Sequence, residues 1–126
     1  MATLDDVRRI AAELPGSEER ETTGGAAWFV RNKLYAWELH PWPSIPEEVR
    51  AIISSELVVG VKVADRLDAL ALAEMAPGVF LRTTTPWSEP KVAFRLAAID
   101  DGHLAELVTE AWRTQAPKYL QREYEA

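Results

Sequence analysis

The chain has 126 residues, a formal net charge of −6 and an apolar fraction of 48% with 27% charged residues, the balance of one soluble globular domain spanning 1–126 rather than of a disordered chain. It contains no cysteine, which excludes disulfides, thiolate metal sites and cysteine nucleophiles. The negative charge, with a pI of about 4.9, opposes a large phosphate-binding footprint; no apolar run approaches the roughly 20 residues that span a bilayer, and an acidic start without an apolar signal core makes the cytoplasm the expected location.

Thr3 is a good N-cap with Asp6 three positions on, a variant of the capping box. Leu4, Val7, Ile10, Ala11 and Leu14 recur at helical spacing, so a helix is expected over 4–14, stopped by Pro15-Gly16. Residues 17–24 are polar and read as a loop. Ala26–Arg31 and Lys33–Leu39 form a predicted hairpin, with its turn near Arg31-Asn32-Lys33, because Asn tolerates the left-handed backbone of tight turns. Lys33, Tyr35 and Trp37 alternate with Leu34, Ala36 and Glu38, and neither set is clean. His40-Pro41-Trp42-Pro43 breaks the strand. Ser44 with Glu47 suggests a capped short helix over 46–54 carrying Val49, Ile52 and Ile53.

Leu57–Val63 is the most β-rich run. Leu57, Val59, Val61 and Val63 make an apolar face; Val58, Gly60 and Lys62 make a semi-polar one that can stay partly open. Asp65 caps a helix over 66–75 that ends at Ala76-Pro77-Gly78. Val79–Thr83 is a short strand, 84–90 a loop, and Lys91–Leu96 a strand in which Val92, Phe94 and Leu96 alternate with Lys91, Ala93 and Arg95. Asp100 or Asp101 opens the last long helix, with Leu104, Leu107, Val108, Ala111 and Trp112 as its buried stripe. Pro117 stops it, and 118–125 holds one further helical turn. The order of elements gives an α+β two-layer sandwich: a mostly antiparallel sheet of about five strands with helices packed on one face.

KLYAWE at 33–38, GVKVADR at 60–66, APGVFLRT at 76–83, AFRLAAID at 93–100 and AWRTQAPKYL at 111–120, with the opening LDDVRRIAAELPGSEE, together resemble the MmcQ/YjbR family over nearly the whole chain. The resemblance implies a YjbR-like fold, comparable to frataxin-like and secretion-chaperone-like sandwiches, and a DNA-binding role with strand hairpins likened to wings. It supplies no catalytic residue. Many relatives place a histidine before an aromatic residue ahead of the fifth strand; here Thr83–Ser88 keeps the aromatic as Trp87 and lacks the histidine.

If Val59, Val61, Phe94 and Leu96 face the helices, then Lys62, Lys91 and Arg95 face away from them. Arg82, Tyr35, Trp37 and Trp87 are candidates for the same side. Interleaved cations and aromatic rings form a stacking platform with phosphate partners, the chemistry of single-stranded nucleic-acid binding. The same residues also fit an ordinary wet sheet with rings under lysine stems. A second class is a small-ligand or protein-partner module built on Trp37, Trp42 and Trp87. An enzyme is the weakest fit: His40 and Glu38 share a strand face but lack further metal ligands, Ser17 has no neighbouring base, and Gly24-Gly25 is no phosphate loop. The expectation is a non-enzymatic binding protein without metal or cofactor, a monomer or weak dimer, with DNA, another anionic ligand or a protein as partner and no membrane association.

Overall fold

The computed structural model describes residues 2–43, 45–81 and 90–125. Six strands form one antiparallel sheet in the order β1-β2-β3-β4-β6-β5. They are β1 (Ser17–Thr22), β2 (Gly25–Val30), β3 (Lys33–Glu38), β4 (Val58–Lys62), β5 (Phe80–Leu81) and β6 (Lys91–Arg95). Five α-helices accompany them: α1 (Leu4–Ala12), α2 (Glu47–Ser55), α3 (Arg66–Met75), α4 (Asp101–Gln115) and α5 (Lys118–Glu125). The architecture is the expected α+β sandwich, with one strand more than the five anticipated. The extra strand is β1, read as a loop because its sequence, SEERET, has no apolar alternation. It pairs along its whole length with β2, from Ser17 opposite Val30 to Thr22 opposite Gly25. As an edge strand it needs no buried face, and its charges discourage pairing with another chain.

One side of the sheet holds the main core. Val7 and Ala11 of α1, Leu104, Val108, Ala111 and Trp112 of α4, and Leu120 of α5 pack with Trp28, Val30, Val59, Val61, Val92, Phe94 and Leu96. α1 starts with the anticipated capping box: Asp6 N–H donates to Thr3 Oγ1 at 3.3 Å and Thr3 N–H donates to Asp6 Oδ2 at 2.8 Å. Asp65 and Asp100 cap α3 and α4 with one hydrogen bond each, accepting from the Asp68 and His103 N–H groups. The cap proposed for α2 falls on Ser44, outside the described residues.

α2 is the exception to a one-sided helix layer. Its Val49 and Ile53 pack on Val58 and Ala93, with Leu39, Ile45, Ile52 and Leu81 around them. These sit on the sheet face opposite the main core. Val58, expected on a partly open face, is therefore buried, whereas Leu57 at the strand's mouth is 44% exposed.

A β-bulge interrupts the β2–β3 ladder. Trp28 pairs with Ala36 and Phe29 with Leu34, so Tyr35 is the extra residue. The bulge turns both Tyr35 and Ala36 into the main core, where neither is exposed. The expected placement of Tyr35 beside Trp37 on the open face is corrected by this one irregularity. The Tyr35 hydroxyl lies 2.5 Å from Ser17 Oγ, and burial pushes its phenol up to about 12, with the Ser17 hydrogen bond pulling the other way.

This burial predicts an alkaline signature. An unfolded tyrosine ionises near 10.0. Below that pH both states keep the proton and the contribution of Tyr35 is complete. Between about pH 10 and 12 the unfolded chain loses its proton first, so stability falls by about 1.4 kcal/mol per pH unit, on the order of 2–3 kcal/mol in all. Urea midpoints measured across that window should show the fall in the parent protein and a flatter profile in Tyr35→Phe. Equal slopes would contradict the assignment.

Candidate functional site on the second sheet face

The face opposite the main core is built by register. Ala27, Trp37, Gly60 and Ala93 stand in one row across β2, β3, β4 and β6. Three small side chains leave room for one large ring, and the Trp37 indole fills it. A Cβ on Gly60 would stand 2.5 Å from Trp37 Cε2 and 2.6 Å from Cζ2, so the indole rests directly on the glycine backbone. One step along, Lys62 pairs across the ladder with Lys91, and at the other end Val58 pairs with Arg95. Lys62 Nζ lies 5.8 Å from the centre of the Trp37 ring, within cation–π reach. Lys62, Lys91, Arg95 and Trp37 thus share one face.

They do not share one chemistry. Arg95 is committed to the fold: Nε and Nη2 donate to the two carboxylate oxygens of Glu56 at 2.7 and 3.1 Å, and Nη1 donates to Gly78 O at 2.9 Å. This bidentate pair holds the Glu56 carboxyl below the ordinary range and raises the guanidinium. It joins the end of α2 to the turn before β5. Arg82 and Trp87 lie outside the described residues.

Two further groups border this surface. Phe29 lies under the Arg20 guanidinium, 4.5 Å from its Cζ. Arg20 Nη2 also donates to Asn32 Oδ1 at 2.6 Å and to Glu18 Oε2 at 3.0 Å. The β2–β3 turn has φ of 52° at Arg31 and 67° at Asn32, the tight type whose twist matches the strands. It holds Arg31 and Lys33 out in solvent at the hairpin tip, Lys33 opposite Val30 of the main core and so on the side away from Trp37. The signal was present as the triplet Arg31-Asn32-Lys33, read only as a turn. Strand direction brings this tip to the same end of the sheet as Lys62 and Lys91.

The other end of the same face is different in character. A cleft of about 390 Å³ runs between the β1–β2 turn and the segment after β3, lined by Thr22, Thr23, Gly24, Ala27, Phe29, Leu34, Trp37, Glu38 and Trp42. Gly25, at φ 120°, sits so close to Glu38 that a side chain there would collide with its carboxylate. Glu38 Oε2 accepts the Ala26 N–H at 3.0 Å. Trp42 is 44% exposed and stacks at a tilt on His40, ring centres 4.4 Å apart. His103 instead lies edge-on to Phe80, 5.6 Å away. Among the described residues no three His, Asp or Glu side chains gather into a group able to hold a metal ion, and no helix is long and apolar enough to cross a membrane.

These features define a class: a small antiparallel sheet with its main helix layer on one face and, on the other, α2, a tryptophan seated on glycine and cations beside it. The chain belongs to the YjbR family, whose model matches residues 12–114. It is 41% identical over 124 residues to an uncharacterized protein of Mycobacterium bovis and to uncharacterized proteins of two Mycobacterium tuberculosis strains, CDC 1551 and H37Rv, covering 95% of this chain and 93% of each relative. The crystal structure of Deinococcus radiodurans protein DR2400, a DUF419 domain, superposes with a TM-score of 0.70 over 99% of this chain and 89% of that one. At 19% identity that likeness is one of fold.

Proposed function

We propose that the protein is a non-enzymatic binding protein of the cytoplasm that takes nucleic acid, single strands above all, through the second sheet face and the β2–β3 hairpin. One observation carries the reading. A ring held flat on Gly60 lies on the strand that leaves a solvent-exposed basic tip, Arg31 and Lys33. The tip lies four residues from Trp37 along the bulged β3, at most about 13 Å of strand, so one short backbone crossing the end of the sheet can touch the tip and stack a base on the indole. The chemistry suits strands whose bases are already unstacked, since stacking on an aromatic side chain tolerates any base. A net charge of −6 confines attraction to this end of the sheet, so binding should depend strongly on salt. The two histidines lie apart, His40 against Trp42 and His103 edge-on to Phe80, and are not brought together as an acid–base pair.

The test is fluorescence anisotropy with labelled single- and double-stranded oligonucleotides between about 50 and 200 mM salt. Single strands should bind more tightly. Arg31→Gln combined with Lys33→Gln should flatten the log–log salt slope by about 1.4, the share of two phosphate contacts on a single strand. Trp37→Ala should cost about 1–3 kcal/mol, the worth of one stacked base, and leave the slope unchanged. No binding of either oligonucleotide at the lower salt would remove the proposal.

A further inference from the structure

We propose that the cleft opening at the Glu38 end of the sheet binds a small organic cation, of the methylated-ammonium class, against the outer part of the Trp37 platform. The walls supply the two things such a cation needs. Phe29, Trp37 and Trp42 bring three aromatic rings to one cleft, and among the described residues lining it Glu38 alone is charged. The carboxylate draws positive charge to its end of the cleft. The ring quadrupole favours the same sign, and aromatic cages are the established way of holding a quaternary ammonium that can donate no hydrogen bond. The protein's own side chains already use these rings so: the Arg20 guanidinium stands 4.5 Å from the centre of Phe29 and Lys62 Nζ 5.8 Å from that of Trp37.

The local structure holds the cleft in shape. Thr22 Oγ1 donates to Gly25 O at 2.7 Å, closing the β1–β2 turn. Gly24 lets that turn approach the His40 side of the cleft: a Cβ there would stand 3.2 Å from His40 Cβ, tighter than ordinary contact, and 3.5 Å from Trp42 Cζ2. Glu38 is fixed by the Ala26 N–H through one oxygen. A volume of about 390 Å³ lies near the lower end of ligand sites, suited to a compact head group. The two sites share the Trp37 ring, whereas Glu38 and Trp42 belong to the cation site alone, so changes at those two side chains test this site apart from the nucleic-acid one.

The experiment uses choline and its uncharged isostere 3,3-dimethylbutan-1-ol, followed by the indole N–H resonances of Trp37 and Trp42. Choline should shift both signals with saturation in the millimolar range. The isostere, equal in shape, should bind at least about tenfold more weakly, equivalent to about 1.4 kcal/mol. Trp42→Ala, at a solvent-exposed position, and Glu38→Gln, which keeps an acceptor for the Ala26 N–H, should each weaken choline by about fivefold or more while the remaining amide spectrum stays folded. Equal binding of the isostere, unmoved indole signals with choline, or full affinity in both variants would overturn the proposal. Oligonucleotide titrations of the same variants separate its failure from that of the nucleic-acid site.

Discussion

Trp112→Ala is expected to remove about 3–5 kcal/mol of folding stability, the usual cost of truncating a large buried aromatic. Few changes should cost this chain more. Trp112 is fully buried on α4, among Leu104, Val108, Ala111, Val7 and Ala11. Its Nε1–H donates to Pro15 O at 3.0 Å across 97 residues of sequence, and the Tyr124 ring of α5 stands 5.4 Å away. One side chain therefore ties α4 to the turn after α1 and seats α5. Alanine would leave a cavity, an unsatisfied carbonyl at Pro15 and an unsupported last helix together. A domain of this size has about 5–15 kcal/mol in total, so the variant should unfold at much lower urea. Trp112→Phe fills most of the space and loses only the hydrogen bond, so its cost should be clearly smaller. A loss below about 1 kcal/mol for the alanine variant would mean that the core closes over the gap and that the three-way anchor is not formed.

The sequence shows local chemistry well and long-range partnership poorly. The caps at Thr3, Asp65 and Asp100 and the stripe of α4 are properties of a few neighbouring residues, and they stand where the spacing puts them. Period-two alternation in β4 and β6 correctly separates Val59, Val61, Val92 and Phe94 from Lys62, Lys91 and Arg95. It fails at Tyr35 because a bulge inserts one residue and reverses the facing for one step, which nothing in KLYAWE announces. β1 was invisible because an edge strand can be polar on both sides. The apolar stripe of α2 was legible, but not the face on which it lands. Arg95 looked like a ligand contact because its partner, Glu56, lies 39 residues away. The candidate surface was thus half legible: the lysines of β4 and β6 from alternation, with Trp37 only a candidate for the same side, but neither the Arg20–Phe29 stack nor the Glu38 cleft, which need the whole ladder in register.

Gly60→Ala should destabilise the protein by about 1–3 kcal/mol, the range for forcing atoms into a filled space, and should weaken both ligand classes. The sign is what makes this informative. Glycine inside a strand normally costs stability, and alanine in its place should gain roughly 0.5–1 kcal/mol where there is room. Here there is no room: the new methyl would sit 2.5 Å from Trp37 Cε2, 2.6 Å from Cζ2 and 2.7 Å from Nε1. The indole must lift from its row, and with it go the wall of the cleft and the platform beside Lys62. In a Trp37→Ala background the obstacle is gone, so the same Gly60→Ala change should become neutral or stabilising. The coupling between the two positions, read from urea midpoints of the four proteins in a double-mutant cycle, should therefore be large and of opposite sign to simple additivity of two losses. Additive losses would show that the ring does not lie on Gly60. Because the glycine itself touches no ligand in either proposal, a binding loss in Gly60→Ala alone, without further loss when it is added to Trp37→Ala, would assign the recognition to the seated ring and to the bare backbone that seats it.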